Sequence, residues 1–271
     1  MANSLTGPAH YLEKFGDQSV VCNKFALNKL GVAQGQCFLK IGEYVILCVP
    51  FQFGFKRSLF FASLSKQELL FFKRYVNEII GLSITFTRAG RGEPLKFFIR
   101  CNLTTIGHMK GRENVGLFVV DFKNTPNDFV VIMGEFLENQ ERMKAQYEDY
   151  GKTAIRITPL TAKMLGYNLY AAVVEPNAEV RRIQISSLST KTIEHLEAAG
   201  SSYRFPGTSV AYQLFFKKHR IIISGTIVSV VTLPQGIIKT VSTLAFSPEL
   251  VEIINDYWYN FHSSPALEKV R

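Results

Sequence analysis

The second half of the sequence constrains the fold most strongly, because strand patterns follow one another there without the helical crossovers that parallel strands require. Five segments there follow one another at short spacing and are rich in β-branched and aromatic side chains. They are NLYAAVVE (168–175), EVRRIQIS (179–186), TSVAYQLFF (208–216), RIIISGTIVSVV (220–231) and IIKTVSTLAF (237–246). Strands without crossover helices are expected to pair in antiparallel fashion, so the pattern predicts a barrel or a sandwich.

The same half contains two helix patterns. TPLTAKMLG, which follows a short strand TAIRI (153–157), predicts a short capped helix. The sequence Ser247-Pro248-Glu249 begins a final helix that is expected to run through Phe261. The expected packing face of this helix consists of Leu250, Val251, Ile254, Tyr257 and Trp258.

The first half mixes strands with one clear helix. That helix is expected to begin at the capping-box pair Ser65 and Glu68, and its apolar spacing continues through Ile79 and Ile80 to Gly81. The predicted strands are QCFLKI (36–41), EYVILCV (43–49), RSLFFAS (57–63), LSITFTR (82–88), PLKFFIRC (94–101) and NVGLFVVDF (114–122).

A long helix is predicted between the two halves. Thr125 is the expected N-cap and Pro126 the first helical residue, and the pattern turns from apolar to charged after Leu137. The predicted organisation is an N-terminal α+β domain (1–126), a connector helix (127–150) and a C-terminal barrel domain with a terminal helix (151–271). The fold class is therefore mixed β-rich α+β, with two barrel-like antiparallel β domains.

Composition and charge limit where the chain acts and what it binds. The chain has 271 residues, 47% of them apolar, and a net charge of +9, which favours anionic partners such as nucleotides, nucleic acid, a membrane surface or an acidic protein. No apolar run approaches the ~18 residues that a membrane span needs. The stretch MANSLTGPAHYLEKFGDQS lacks the apolar segment of a signal peptide. We expect a cytoplasmic protein.

Motifs for catalysis and metal binding are missing from the sequence. The five histidines share no motif, and there is no H-E-x-x-H, G-x-S-x-G, Walker loop or dinucleotide fingerprint. No cysteine pair has C-x-x-C spacing, so Cys22, Cys37, Cys48 and Cys101 are expected to be reduced thiols in the core. We predict a protein that is not an enzyme and has no metal site and no resident cofactor.

Basic residues stand beside aromatic ones in FKRSLFF (55–61), FFKRY (71–75) and FFKKHR (215–220). Such mixtures bind nucleic acid through phosphate contacts and base stacking. They also arise wherever aromatic side chains enter a core and the neighbouring charges face water. Nucleic-acid binding through a basic, aromatic-rich surface is therefore the alternative function.

The order of elements carries a resemblance. A mixed N-terminal domain is followed by Pro-Asn-Asp-Phe, a helix reading VIMGEFLENQ, the strand and helix of TAIRITPLTAKMLGY, and a β-barrel closed by a helix. This order resembles the PilZ-domain proteins of spirochaetes, which join a PilZ-like N-terminal domain to a C-terminal PilZ barrel. PilZ domains are receptors for cyclic di-GMP, and the resemblance implies a role in that signalling or in motility regulation in a bacterium.

The family's ligand motif is an Arg-x-x-x-Arg at the barrel entrance and a later Asp-x-Ser-x-x-Gly on a strand. Arginine forks bind phosphate in bidentate fashion and stack on guanine. In this sequence the arginine positions fall at Tyr150 and Ala154, and the later motif falls at Ser187, Ser189 and Thr192, of which Ser189 alone matches. The basic residues near enough to compensate are Lys152, Arg156, Arg181 and Arg182.

The resemblance therefore implies a non-enzymatic PilZ-type regulator with a degenerate cyclic di-GMP motif. Cyclic di-GMP stays a candidate ligand, but its binding in the family's usual mode is expected to be lost or altered. A regulator without its ligand is expected to act through a protein partner.

Overall fold

The computed structural model describes residues 7–87, 93–109, 111–174, 179–198, 205–217 and 220–263. The chain divides into two compact units, residues 1–139 and 140–271. Each unit has its own hydrophobic core. Both units are β-rich with helices, as the sequence predicts.

The described residues of the first unit form eight strands and three helices, followed by a long helix that continues into the second unit. The helices are α1 (Pro8–Phe15), α2 (Lys24–Leu30), α3 (Lys66–Lys73) and α4 (Asn127–Tyr150). The strands are β1 (Ser19–Val21), β2 (Val32–Ile41), β3 (Tyr44–Leu47), β4 (Val49–Gly54), β5 (Arg57–Ser63), β6 (Ile79–Phe86), β7 (Leu95–Met109) and β8 (Arg112–Phe122).

These strands form one antiparallel sheet in the order β1-β4-β5-β8-β7-β6-β2-β3. Its inner face and the first part of α4 enclose the core, where the Phe129 ring lies edge-on to Phe53, Phe86, Phe97 and Phe122. Aromatic rings prefer such edge-to-face contacts. The apolar half of α4 therefore packs on the sheet as its sequence predicts.

The predicted helix of residues 65–81 is too long. Ser65 and Glu68 do form the capping box, but α3 ends at Lys73, and Asn77 adopts a left-handed conformation with φ of 73°. Ile79 and Ile80 instead begin β6, where they pair with Asn102 and Cys101 of β7. Ile79 and Ile80 stand at helical spacing from the apolar residues of α3, but they form the first residues of a strand. Their pairing with β7, which is distant in sequence, decides between helix and strand.

The start of α4 also differs from the prediction. The helix begins at Asn127, so Thr125 is not the residue directly before it, and the Thr125 hydroxyl donates a hydrogen bond to the Phe55 carbonyl at 2.6 Å. Three elements near the N-terminus, α1, β1 and α2, have no counterpart among the sequence predictions.

The described residues of the second unit form seven strands and two further α-helices. The strands are β9 (Ile155–Arg156), β10 (Tyr167–Val174), β11 (Val180–Leu188), β12 (Thr192–Glu197), β13 (Ser209–Phe216), β14 (Arg220–Thr232) and β15 (Ile238–Leu244). The helices are α5 (Pro159–Leu165) and α6 (Pro248–Ser263). Thr158 caps α5 with a capping box, and Gly166 ends it at φ of 68°.

Six of these strands close into an antiparallel barrel, as the sequence predicts. The order is β10-β13-β14-β15-β12-β11, and pairing of Ala171 to Val174 with residues 180–183 of β11 returns the sheet to β10. The barrel core is lined by alternate residues such as Ile183, Tyr212 and Ile223. Helix α6 packs onto this core through Leu250, Ile254 and Tyr257, while Trp258 is only partly buried.

Residues 189–191, which include Ser189 and Thr190, form the turn of a hairpin that connects β11 to β12. The sequence pattern did not predict β12. β12 pairs with β11 on one side and with β15 on the other. Ile193 and His195 point into the barrel and are fully buried. Without β12 the barrel would not close.

Candidate ligand site on the barrel

The turn between β11 and β12 uses its hydroxyl groups internally. Ser189 is fully buried. Its Oγ accepts hydrogen bonds from the backbone N–H groups of Lys191 (3.2 Å) and Thr192 (2.9 Å) and lies 2.8 Å from the Thr192 Oγ1. Thr190, equally buried, donates to the carbonyl of Tyr147 at 2.7 Å. These three side chains therefore fix the turn and its contact with α4.

The two serines of β11, Ser186 and Ser187, have different surroundings. Ser186 donates to the carbonyl of Glu194 at 3.1 Å and lies 2.7 Å from its carboxylate. The pKa of Glu194 is lowered, mainly by its hydrogen bond with Lys239. Partial burial opposes this effect, and the weaker contribution of the Ser186 hydrogen bond adds to it. Ser187 pairs with Arg156 of β9, so both side chains lie on the same face of the sheet.

The two positions matched to the family's arginines have different surroundings. Tyr150 is the last residue of α4, and its hydroxyl donates to Asn255 Oδ1 of α6 at 2.8 Å. It lines a cavity of about 560 Å³ together with Trp258, Tyr259 and His262. Ala154 is exposed. Neither position offers a positive charge.

The four candidate compensating residues do not converge. Lys152 forms an ion pair with Asp149 at 2.8 Å, and Arg181 forms one with Glu179 at 2.8 Å. The Arg182 guanidinium lies over the Tyr170 ring at 5.4 Å. Arg156 is exposed and is directly paired with Ser187 across strands β9 and β11. None of the other three basic residues is paired with Ser187, Ser189 or Thr192.

A larger cavity of about 700 Å³ lies along β10, β11 and β12. Arg182 lines it, as do Tyr167, Gln184 and Glu197. The Tyr167 hydroxyl is buried and makes no hydrogen bond with any part of the chain that the structure describes. Burial raises the pKa of Tyr167, and the nearby Arg182 lowers it by a smaller amount. No sequence pattern distinguishes Tyr167 from an ordinary aromatic residue of the core.

The structure thus brings Ser187, Ser189, Thr192 and Arg156 to one end of β11. Tyr150 and Arg182 line two different cavities. The predicted site residues are therefore distributed over several surfaces of the second unit.

The residues with reactive chemistry are buried or isolated. The four cysteines are free thiols, and burial raises the pKa of Cys22 and of Cys101 to about 12. The Cys37 and Cys48 sulfur atoms lie 3.4 Å apart, and their hydrogen bond and burial raise the pKa of Cys37 further. Within residues 7–263, gaps excepted, no three His, Cys, Asp or Glu side chains are placed to hold a metal ion.

The three aromatic and basic stretches fold mainly as internal contacts. Phe60, Phe72 and Phe216 are buried. Arg57 binds Asp121 in bidentate fashion at 2.6 and 2.9 Å, and the Arg74 guanidinium lies 3.6 Å from the centre of the Phe71 ring. Lys218 and His219 of the third stretch lie outside the described residues.

No helix of the described chain combines the length and the apolar character needed to cross a bilayer.

Comparison with known families gives a match for the first unit. Residues 9–140 match the PilZN3 domain. The comparison with curated proteins gave no match.

Several solved structures are similar to this chain. PlzA of Borreliella burgdorferi, in complex with c-di-GMP, is 13% identical with a TM-score of 0.46 over 92% of this chain and 97% of its own. YcgR of Escherichia coli, in complex with c-di-GMP, is 12% identical with a TM-score of 0.32 over 98% and 96%. The inhibitor of motility MotI/DgrA of Bacillus subtilis is 9% identical with a TM-score of 0.32 over 85% and 98%.

Proposed function

We propose that this chain, whose residues 9–140 match the PilZN3 domain, is a PilZ-type protein and acts as a non-enzymatic cytoplasmic regulator in cyclic di-GMP or motility signalling. We further propose that binding of cyclic di-GMP in the usual PilZ mode is lost and that the protein acts through a protein partner. The observation that carries the loss is the use of Tyr150, Ser189 and Thr192 in contacts within the fold.

The chemistry of the replacements supports this proposal. The tyrosine and alanine at positions 150 and 154 leave two phosphate groups without their guanidinium partners. Ser187 also stands where the motif has a carboxylate, so three charged groups are lost in all. A hydrogen bond to a charged group contributes ~1.5–3 kcal/mol, and losing three such groups removes roughly 5–9 kcal/mol. A micromolar site is worth about 8 kcal/mol. Unless Arg156 and its neighbours replace these groups, such a site would not persist.

A surface for a protein partner is available on the first unit. The outward side chains of β1, β4 and β5 include Val21 and Val49, which are 61% and 55% exposed. The rings of Phe51 and Phe61 lie 4.6 Å apart beside Val49, which pairs with Phe61 across the strands. Contiguous exposed apolar side chains of this kind are typical of interaction surfaces.

Calorimetric titration of the full chain with cyclic di-GMP tests the loss. At ~150 mM salt, where attraction by distant surface charges is screened, we expect no saturable heat. The combined variant Tyr150→Arg, Ala154→Arg, Ser187→Asp and Thr192→Gly should gain binding. Tyr150→Phe, which removes the hydroxyl without adding charge, is the matched control and should behave like the parent.

A parent dissociation constant below ~1 µM would contradict the proposed loss. If the combined variant keeps the far-ultraviolet dichroism of the parent and still does not bind, the assignment of these four positions to the family motif is wrong.

A further inference from the structure

The outer face of the first unit's sheet carries an aromatic and basic surface that the three sequence stretches did not include. Side chains alternate between the two faces of a strand, and directly paired residues share a face. Phe38 of β2 pairs with Ser83 of β6, and Ser83 pairs with Phe98 of β7. In the next row, Lys40 pairs with Gly81, and Gly81 pairs with Arg100.

Phe98 forms an open platform at the centre of this surface. It is 64% exposed, although its strand neighbours Phe97 and Ile99 are buried. Its ring leans over Gly81, where an added Cβ would lie 2.6 Å from Cζ of the ring. The glycine therefore lets one side of the ring rest on the sheet while much of the ring stays open to solvent.

Three cations flank the ring and have no acidic partner among the described residues. Lys96 and Arg100 lie two residues before and after Phe98 on the same face, and Lys40 lies across Gly81. All three are exposed, and their charged groups form no ion pair with the described part of the chain. Arg57, on the same sheet, is neutralised by Asp121. The segments that build the surface (38–40, 81–85 and 96–100) contain no acidic residue.

We propose that this surface, consisting of Phe38, Lys40, Gly81, Lys96, Phe98 and Arg100, binds single-stranded nucleic acid. Phe98 stacks on an unpaired base, and the cations contact the flanking phosphates. An exposed aromatic ring with cations on either side, on a sheet, supplies the two contacts that sequence-tolerant single-strand binding uses. The proposal is independent of the loss of cyclic di-GMP binding.

A single strand fits this surface better than a duplex or an acidic protein. Bases in a duplex are stacked on one another and leave no face for Phe98. An acidic peptide would use the cations, but its binding would not require the ring. Dependence on Phe98 therefore distinguishes the proposed ligand from general attraction to a protein of net charge +9.

Fluorescence anisotropy of the full chain with a labelled oligothymidylate of about 16 nucleotides, the upper end of single-strand site sizes, tests the ring. Phe98→Ala should weaken binding about 5-fold to 100-fold, the range expected for loss of one stacked base. Phe98→Tyr keeps an aromatic ring and should retain binding. Leu70→Ala removes an apolar side chain that is similarly exposed (65%) on α3 and should bind like the parent.

The cations are tested by the salt dependence of binding. Each phosphate contact to a single strand adds ~0.7 to the slope of log K against log salt, so Lys96→Gln with Arg100→Gln should flatten that slope by ~1.4. The matched control is Lys24→Gln with Lys73→Gln, which removes two exposed lysines of the same unit from α2 and α3. Circular dichroism of each variant shows that the fold is kept.

Three results overturn the proposal. They are no binding of the oligonucleotide at ~50 mM salt, parent affinity in Phe98→Ala, and an equal change of salt slope in the two double variants. Ring dependence together with the larger slope change in the Lys96 and Arg100 variant supports it.

Discussion

At the residue scale, Ser189 shows how a residue that matches a ligand motif can serve the fold instead. Its hydroxyl accepts two backbone N–H groups of the β11 to β12 turn and is fully buried. Ser187, two residues earlier, is only half-buried and its hydroxyl has no hydrogen bond in the described structure. Removing the Ser189 hydroxyl therefore leaves two backbone N–H groups without their acceptor, whereas removing the Ser187 hydroxyl breaks no hydrogen bond of the described structure.

We expect Ser189→Ala to lower the free energy of unfolding of the second unit by about 1–3 kcal/mol, because buried N–H groups lose their acceptor. Ser187→Ala, the matched control, should change it by less than about 0.5 kcal/mol. Urea denaturation of both variants measures the difference. Equal effects would show that the hydroxyl of Ser189 does not hold the turn.

At the element scale, the second half of α4 is bound to the barrel unit. The Tyr147 hydroxyl donates to the Leu244 carbonyl at 2.8 Å, and the Tyr147 carbonyl accepts from Thr190. Glu148 is bonded to Lys191, and Tyr150 to Asn255. The sequence predicts a connector helix that is charged after Leu137. In the structure, Glu148 of this charged part contacts Lys191 of the second unit, and its neighbours Tyr147 and Tyr150 contact Leu244 and Asn255.

A fragment of residues 140–271 should therefore be more stable than one of residues 151–271. Loss of residues 140–150 removes the partners of Thr190, Lys191 and Asn255 and should lower the midpoint of thermal unfolding by several degrees. Differential scanning calorimetry of the two fragments makes the comparison. Indistinguishable midpoints would support the boundary near residue 150 that the sequence predicts.

At the scale of the whole molecule, the two units have separate cores. Phe129 is fully buried in the first core and Ile254 in the second. Each core is closed by its own sheet or barrel.

We expect Phe129→Ala to cost ~3–5 kcal/mol in the unfolding of the first unit and Ile254→Ala ~2–5 kcal/mol in that of the second. In denaturation of the full chain, each variant should shift its own transition and leave the other unchanged. The single tryptophan, Trp258, lies in the second unit, so its fluorescence reports that transition while circular dichroism reports both. A shift of the tryptophan transition by Phe129→Ala would contradict separate unfolding.

Local patterns of the sequence determined much of this protein. Segments rich in β-branched and aromatic residues predicted most strands of both units, and the Ser65 and Thr158 boxes predicted the starts of two helices. Strand composition and capping are both set by residues a few positions apart. The absence of crossover helices determined that the second unit would be antiparallel.

Tertiary structure decided what depends on residues distant in sequence. Whether Ile79 continues a helix or begins β6 depends on β7, and whether residues 192–197 form the strand β12 depends on β15. Ion pairing also depends on the tertiary structure. Arg57 forms an ion pair with Asp121, whereas Arg100 forms none with the described residues. Periodicity is a local property, but strand pairing, burial and ion pairing need partners that only the folded chain brings within reach.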